Sequence, residues 1–153
     1  MKSPRSIPSV RTIETSTSDS MGGYLLDTDT CVNILRGNEE VIRRRRGVYA
    51  EVVTTEFTAS ELYFGAARSA DPAKNKRQVD AFLETIRVMP IGRQGAQFFG
   101  IFKAMLKAEG TLIPDADLWI GSIARALGLK IVTGNTKHLA RIPGVEIEDW
   151  IRA

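Results

Sequence analysis

The sequence has almost none of the residues that build disulfides or soft-metal sites. Cys31 is the one cysteine and His138 the one histidine among 153 residues. A single cysteine excludes an internal disulfide and fits a reducing interior. One cysteine and one histidine cannot form a Cys/His metal cage, so any bound metal must be held by oxygen ligands. Oxygen ligands favour Mg²⁺, Mn²⁺ or Ca²⁺.

Long apolar runs are also missing. No stretch approaches the ~20 residues that cross a bilayer, so we expect no membrane partner. Residues 1–22 are rich in Ser, Thr and Pro and lack the apolar segment of a secretory signal. This composition predicts a disordered tail, or an over-extended start ahead of Met21. A transit peptide is disfavoured because Glu14 and Asp19 are acidic. Residues 23–153 are predicted to form one domain.

The charge is mildly basic and includes one concentrated run. The net charge is +3, which is compatible with a nucleic-acid partner. Residues 43–46 are four consecutive arginines in a predicted helix, so they point around most of its circumference and cannot all serve one partner. Two interpretations stay open, a solvated helix face and a contact with RNA phosphates or an acidic protein.

Short apolar or β-branched stretches alternate with helical patterns along the chain. The predicted strands are residues 24–26, 52–55, 88–91, 130–133 and an edge strand at 145–147. The predicted helices start near residue 28 and cover 39–50, 58–70, 72–87, 96–109, 114–127 and a short segment that contains His138. Alternation of this kind predicts an α/β fold with a parallel sheet. His138 is interpreted as a surface or capping residue.

One predicted helix begins with two carboxylates. Pro114 is well suited to open it, and Asp115 and Asp117 then lie at its positive end. The stretch that follows is nearly apolar, which indicates a buried helix. Two residues of separation place the two side chains about 200° apart, so they cannot both be primary ligands on that helix. We therefore predict Asp117 as the metal ligand and Asp115 as a capping or supporting residue.

Three further polar residues are predicted to lie near Asp117. Asp27 ends the first strand, Glu61 lies on the helix after the second, and Asn135 follows the fourth. Ligands of parallel α/β folds bind at the carboxyl ends of the strands, so these residues can meet in one pocket. Carboxylates and an amide without histidine or thiol indicate a hard-cation site. Such a site suits phosphodiester hydrolysis, in which a metal activates water and shields the leaving oxygen.

Four motifs give the chain from Tyr24 to Trp150 a family resemblance. It resembles the PIN-domain endoribonucleases, specifically the VapC-type toxins of type II toxin–antitoxin systems. The motifs are Tyr24-Leu-Leu-Asp27-Thr-Asp29, Ala59-Ser-Glu61-Leu-Tyr-Phe-Gly65-Ala, Ile113-Pro-Asp115-Ala-Asp117-Leu-Trp-Ile and Val132-Thr-Gly-Asn135-Thr-Lys-His138-Leu. The resemblance implies a PIN-like three-layer α/β/α fold with a short, mostly parallel sheet.

The resemblance also assigns site residues. It implies that Asp27, Glu61 and Asp117 bind Mg²⁺, with Mn²⁺ able to replace it. Asn135 stands where many PIN domains have a fourth acid, so it brings an oxygen but no charge. Thr133 is predicted to orient this site through its hydroxyl. Thr28 and Asp115 are the remaining candidates for a supporting or substrate-contacting role.

Partners follow from the same resemblance. It implies cleavage of a structured RNA such as a tRNA or ribosomal RNA, which inhibits translation in the cytoplasm. It further implies a homodimer and a cognate antitoxin that blocks the pocket.

Two other functions remain open at this stage. The first is a catalytically silent RNA- or protein-binding module with the same fold. The second is a haloacid-dehalogenase-like phosphatase, in which Asp27 would attack phosphorus and Asp29 would act as the acid/base.

Overall fold

The computed structural model describes residues 22–152, which form five strands and seven helices. The predicted N-terminal tail therefore lies outside the described residues except for Gly22. The strands are β1 (Tyr24–Leu26), β2 (Val52–Thr55), β3 (Arg87–Met89), β4 (Lys130–Val132) and β5 (Ile147–Glu148). The helices are α1 (Thr28–Leu35), α2 (Glu39–Gly47), α3 (Glu56–Ala67), α4 (Pro72–Leu83), α5 (Gly92–Ala108), α6 (Asp115–Leu127) and α7 (Thr136–Leu139).

The strands form one parallel sheet in the order β3-β2-β1-β4-β5. β1 is central, and Tyr24 pairs with Val52 on one side and Lys130 on the other. Its side chains alternate between the two faces, as strand geometry requires. Leu25 belongs to one core cluster and Leu26 to another, and both are fully buried. A strand with this environment can occupy only the middle of a covered sheet.

Helices cover both faces and give three layers. Phe98 and Phe102 of α5 and Leu118 of α6 pack in the core that contains Leu25. The core that contains Leu26 includes residues of α1 to α4 and Trp150 near the C-terminal end. The predicted α/β/α architecture is confirmed, and the sheet is entirely parallel within the described residues.

Several predicted boundaries are wrong by a few residues. α2 ends at Gly47 because the β-branched Val48 takes an extended conformation. α3 begins at Glu56, since the Thr55 hydroxyl accepts the Thr58 N–H at 3.0 Å and caps the helix there. α4 ends at Leu83, which releases residues 87–89 to pair with β2.

Two other bounds also differ from the expected ones. α5 begins at Gly92 rather than residue 96. The edge strand is Ile147–Glu148 rather than 145–147, because the pairing with β4 joins Ile147 to Ile131.

The arginine run divides among different partners. Arg43 and Arg44 both pair with Glu40 on the same helix. Arg45 instead donates to the Thr85 carbonyl at 2.8 Å, with its guanidinium 5.7 Å from the centre of the Phe82 ring. Arg45 therefore joins α2 to the end of α4 and is a structural residue.

None of the helices in residues 22–152 is long and apolar enough to cross a membrane.

Cys31 is fully buried and has a free thiol, and burial raises its pKa to about 12. The Cys31 thiol is therefore unreactive, and its role is to pack in the core.

Candidate active site

A pocket of about 440 Å³ lies at the carboxyl ends of the central strands. It brings together the four main predicted site residues and Thr28. They are Asp27, Glu61, Asp117 and Asn135. Arg36 is the one cationic side chain among the described residues that line it. The pocket therefore has an acidic wall with little compensating positive charge.

Asp27 is held at the end of β1 by two hydrogen bonds. It is the N-cap of α1, where its Oδ1 accepts the Thr28 N–H at 2.8 Å. Its Oδ2 accepts the Thr133 hydroxyl at 2.9 Å. Burial raises the pKa of Asp27 to about 6, the two hydrogen bonds oppose this, and repulsion by Asp29 and Asp117 adds to it. In the metal-free chain, the two hydrogen bonds therefore do not fully offset the cost of burying the negative charge of Asp27.

Asp117 is buried at the start of α6 and faces His138. The carboxylate Oδ2 lies 2.9 Å from His138 Nδ1, and Asp117 is 9% exposed. Asp115 behaves differently, since its side chain is 66% exposed and lies 3.0 Å from Lys103 Nζ. The helix therefore separates the two acids as expected, with Asp117 in the pocket and Asp115 outside it.

Thr28 links Glu61 to the rest of the pocket. Its hydroxyl donates to Glu61 Oε1 at 2.6 Å and lies 3.1 Å from the Thr58 hydroxyl. Glu61 itself is exposed on α3. Because α1 begins at Thr28, directly after Asp27, one short turn positions two of the three carboxylates.

Asn135 and Thr133 complete the β4 side of the pocket. The Asn135 N–H donates to the Thr133 hydroxyl at 3.0 Å, while that hydroxyl donates to Asp27. The Asn135 side-chain amide makes no hydrogen bond within residues 22–152 and lines the pocket. Its oxygen is therefore available to a ligand.

Asp29 is committed to holding a loop. One oxygen accepts the Thr30 N–H and the other accepts the Gly134 N–H, both at 2.8 Å. Arg152 supports the same loop by donating to the Gly134 carbonyl at 2.9 Å. Both oxygens of the Asp29 carboxylate are therefore occupied by backbone N–H groups of the chain itself. This arrangement disfavours the phosphatase mechanism, which requires Asp29 as the acid/base.

His138 is the site residue that sequence reasoning missed. It lies on the four-residue helix α7 and is half-buried against Asp117. The sequence separates the two residues by 21 positions, and no local pattern connects them. A signal was present in the fourth motif, which places His138 three residues beyond Asn135.

The donors present suit a hydrated hard cation. Within the described part of the chain, no three Asp, Glu, His or Cys side chains are gathered into a closed cage. The carboxylates instead line an open pocket separately. Mg²⁺ is commonly held in this way by one or two carboxylates and several waters. A cation here would also relieve the repulsion that Asp117 exerts on buried Asp27. The pocket is therefore compatible with such an ion.

Comparison with known proteins identifies the family of the chain. Residues 24–145 match the PIN domain family, and the chain belongs to that family. The tRNA(fMet)-specific endonuclease VapC of Salmonella typhimurium is 34% identical over 128 residues, which are 83% of this chain and 97% of that protein. Ribonuclease VapC2 of Haemophilus influenzae is 29% identical over 129 residues, covering 84% and 98% of the two chains.

Solved structures give the same result. A chain of the DNA-bound VapBC from Salmonella typhimurium superposes with a TM-score of 0.80 and 32% identity, covering 85% of this chain and 99% of that one. VapBC2 from Rickettsia felis, bound to a promoter DNA fragment, gives a TM-score of 0.78 at 25% identity, covering 83% and 98% of the chains. Within the PIN family, the chain therefore belongs to the VapC group.

Proposed function

We propose that this chain is a Mg²⁺-dependent endoribonuclease that hydrolyses phosphodiester bonds in RNA. The observation that carries the proposal is the convergence of three carboxylates and one amide on an open pocket. Asp27, Glu61 and Asp117 are the proposed metal ligands, and Asn135 is a neutral oxygen donor beside them. When bound, Mg²⁺ or Mn²⁺ supplies an activated water and neutralises charge on the leaving oxygen.

The surrounding side chains keep the ligand oxygens in place. Thr133 fixes Asp27, Thr28 fixes Glu61, and His138 faces Asp117. Hydrogen bonds of this kind orient metal ligands before the metal binds, which lowers the cost of binding. In this proposal the scissile phosphate lies in the pocket near Asp27 and Asp117. The nucleotides on either side of it contact the protein surface beside the pocket.

The substrate and partners are proposed from the related proteins. The Salmonella relative is named for tRNA(fMet), and the structural neighbours are VapBC complexes. We therefore propose a tRNA or ribosomal RNA as substrate, inhibition of translation in the cytoplasm, and neutralisation by a cognate antitoxin.

A homodimer is also proposed. Trp119 lies 6.4 Å from Phe57 and 6.1 Å from Phe99, measured between ring centres, and all three rings are only partly buried. An aromatic cluster of this kind suits a contact with a second copy of the chain. Sedimentation equilibrium would give the mass directly, and a monomer at micromolar concentration would contradict this part of the proposal.

A catalytically silent module is the second candidate function. It is favoured by one observation, the neutral Asn135 at a position where many PIN domains carry an acid. Loss of that negative charge weakens the binding of a second metal ion, but it leaves the three carboxylates of Asp27, Glu61 and Asp117 in place. Cleavage by the purified protein separates the two candidates.

The experiment is an RNA-cleavage assay with purified full-length protein. We expect cleavage of tRNA in Mg²⁺, none in EDTA, and loss of cleavage in Asp27→Ala and Asp117→Ala with folding retained. Asp115→Asn is the matched control, because that acid lies outside the pocket and should leave the rate unchanged. Equal cleavage by the wild type and both alanine variants would refute the assignment.

A further inference from the structure

A second depression continues from the acidic pocket along α3 toward α4. It has a volume of about 520 Å³, and we call it the α3 groove. Four residues line both the groove and the acidic pocket. They are Thr28, Val32, Arg36 and Glu61. A ligand whose reacting atom lies among the carboxylates can therefore extend directly into the groove.

Gly65 lies at an open part of the groove, and the packing of the fold does not require a glycine at this position. It lies inside α3, where a glycine is less favourable than an alanine. A Cβ added at Gly65 would meet nothing within 4 Å. No contact within the described chain therefore requires a glycine at this position. Its absent side chain does, however, leave the backbone of α3 open to close approach by a ligand.

Phe64 exposes a large apolar ring beside this opening. It is 67% exposed, and the Arg68 guanidinium lies 5.6 Å from the centre of its ring. Phe64 follows Glu61 by three residues, so the two side chains are neighbours on the helix surface. An exposed ring one turn from a proposed metal ligand is well placed to stack on a nucleotide base.

The charge of the groove favours an anionic ligand. Arg36 and Arg68 both line it, and within residues 22–152 neither has a carboxylate within salt-bridge distance. Glu61 is the sole acid among the described residues of its lining. Asn75 and Gln78 add amides that can bond to base edges.

We propose that the α3 groove binds the single-stranded RNA that flanks the scissile phosphate. One base stacks on Phe64, the sugar-phosphate chain passes close to Gly65, and Arg36 and Arg68 neutralise its phosphates. This inference rests on the proposed ribonuclease function and adds the subsite that holds the substrate. Two cations without a carboxylate partner in the described chain, an exposed ring and continuity with the acidic pocket favour RNA over an apolar protein segment.

The test measures RNA binding by the full-length protein without cleavage. The probe is a single-stranded RNA of about ten nucleotides that carries 2-aminopurine, with Ca²⁺ in place of Mg²⁺. Phe64→Ala should raise Kd about tenfold and abolish the quenching of 2-aminopurine, whereas Phe64→Tyr should restore both. Tyr49→Ala is the matched control, because Tyr49 is a fully exposed aromatic outside the groove.

Gly65 provides an independent variant that does not remove any contact. Gly65→Met should fill the groove and weaken RNA binding at least tenfold while the melting temperature stays equal or rises. Ala67→Met is its control, since Ala67 is exposed on the same helix but does not line the groove. Arg36→Ala and Arg68→Ala should each reduce the salt dependence of binding by about 0.7 in slope.

Different results overturn different claims. Wild-type protein that fails to cleave RNA in Mg²⁺ overturns the proposed function and the subsite with it. Cleavage by the wild type together with normal RNA binding by Phe64→Ala and Gly65→Met overturns the subsite alone. If Phe64→Ala and Gly65→Met bind RNA normally but no longer bind a co-expressed antitoxin, the groove binds a protein segment. That result also overturns the RNA proposal.

Discussion

Replacing Asp27 by asparagine should stabilise the metal-free protein while it abolishes cleavage. Asp27 is 7% exposed, and burial raises its pKa from 3.8 to about 6. The native state therefore holds a proton that the unfolded chain has already lost between these two pH values. The contribution of Asp27 to the free energy of unfolding is therefore fully present below pH 3.8. It is lost as the pH rises through about 6, because the buried carboxyl group then loses its proton.

The size of the effect follows from the two pKa values. The difference between 3.8 and about 6 corresponds to about 3 kcal/mol of stability lost at pH 8. An asparagine carries no charge, so the Asp27→Asn variant avoids that loss. The new amide can still accept the Thr28 N–H and donate to the Thr133 hydroxyl, which keeps the hydrogen bonds in place. We expect a melting temperature about 10 °C higher than the wild type in EDTA at pH 8.

The assay is thermal unfolding in EDTA at pH 4 and pH 8, and again with Mg²⁺. The two proteins should melt alike at pH 4, and Mg²⁺ should raise only the wild-type midpoint. Asp115→Asn is the control, since this exposed acid at the start of α6 stabilises the helix and its loss should lower the midpoint slightly. A lower midpoint for Asp27→Asn at pH 8 in EDTA would refute the reasoning.

Three further predictions concern positioning and stability. His138→Ala should weaken Mn²⁺ binding by 10- to 100-fold, because Asp117 loses the partner that orients it, and calorimetric titration would measure this. Arg45→Ala should lower the free energy of unfolding by about 1–2 kcal/mol without changing the salt dependence of RNA binding, whereas a reduced salt slope would return Arg45 to the RNA-binding surface. Phe102→Ala should cost about 3–5 kcal/mol in urea unfolding, since Phe102 is fully buried, and a loss below 1 kcal/mol would contradict its place in the core.

The architecture was predictable because its signals are local. β2 is a run of β-branched residues, and its predicted bounds are those of the structure. Pro114 and Gly128 delimit α6 as expected, and Gly128 has the positive φ of 66° that favours glycine at a helix end. The bounds of β3 and β5 failed because they depend on tertiary pairing: Arg87 pairs with Val53, and Ile147 pairs with Ile131.

The pocket was predictable only in part, for a related reason. Asp27 and Asp117 follow from strand ends and helix starts, which the sequence marks. The contact between His138 and Asp117 depends on how α7 packs against α6, and residue spacing does not encode that. Arg45 lies inside a run of four arginines, and the sequence cannot distinguish the one that bonds to the Thr85 carbonyl from those that pair with Glu40 on their own helix.

The central position of β1 determines when the pocket can exist during synthesis. Of the five strands, β1 is made first, but one of its two neighbours, β4, is made fourth. Asp27 and the Thr133 hydroxyl that fixes it are 106 residues apart. Contacts of such long sequence separation form late, because a long loop must close first. A nascent chain therefore has no assembled pocket until β4 and Thr133 have left the ribosome, and the proposed cleavage can begin only after that point.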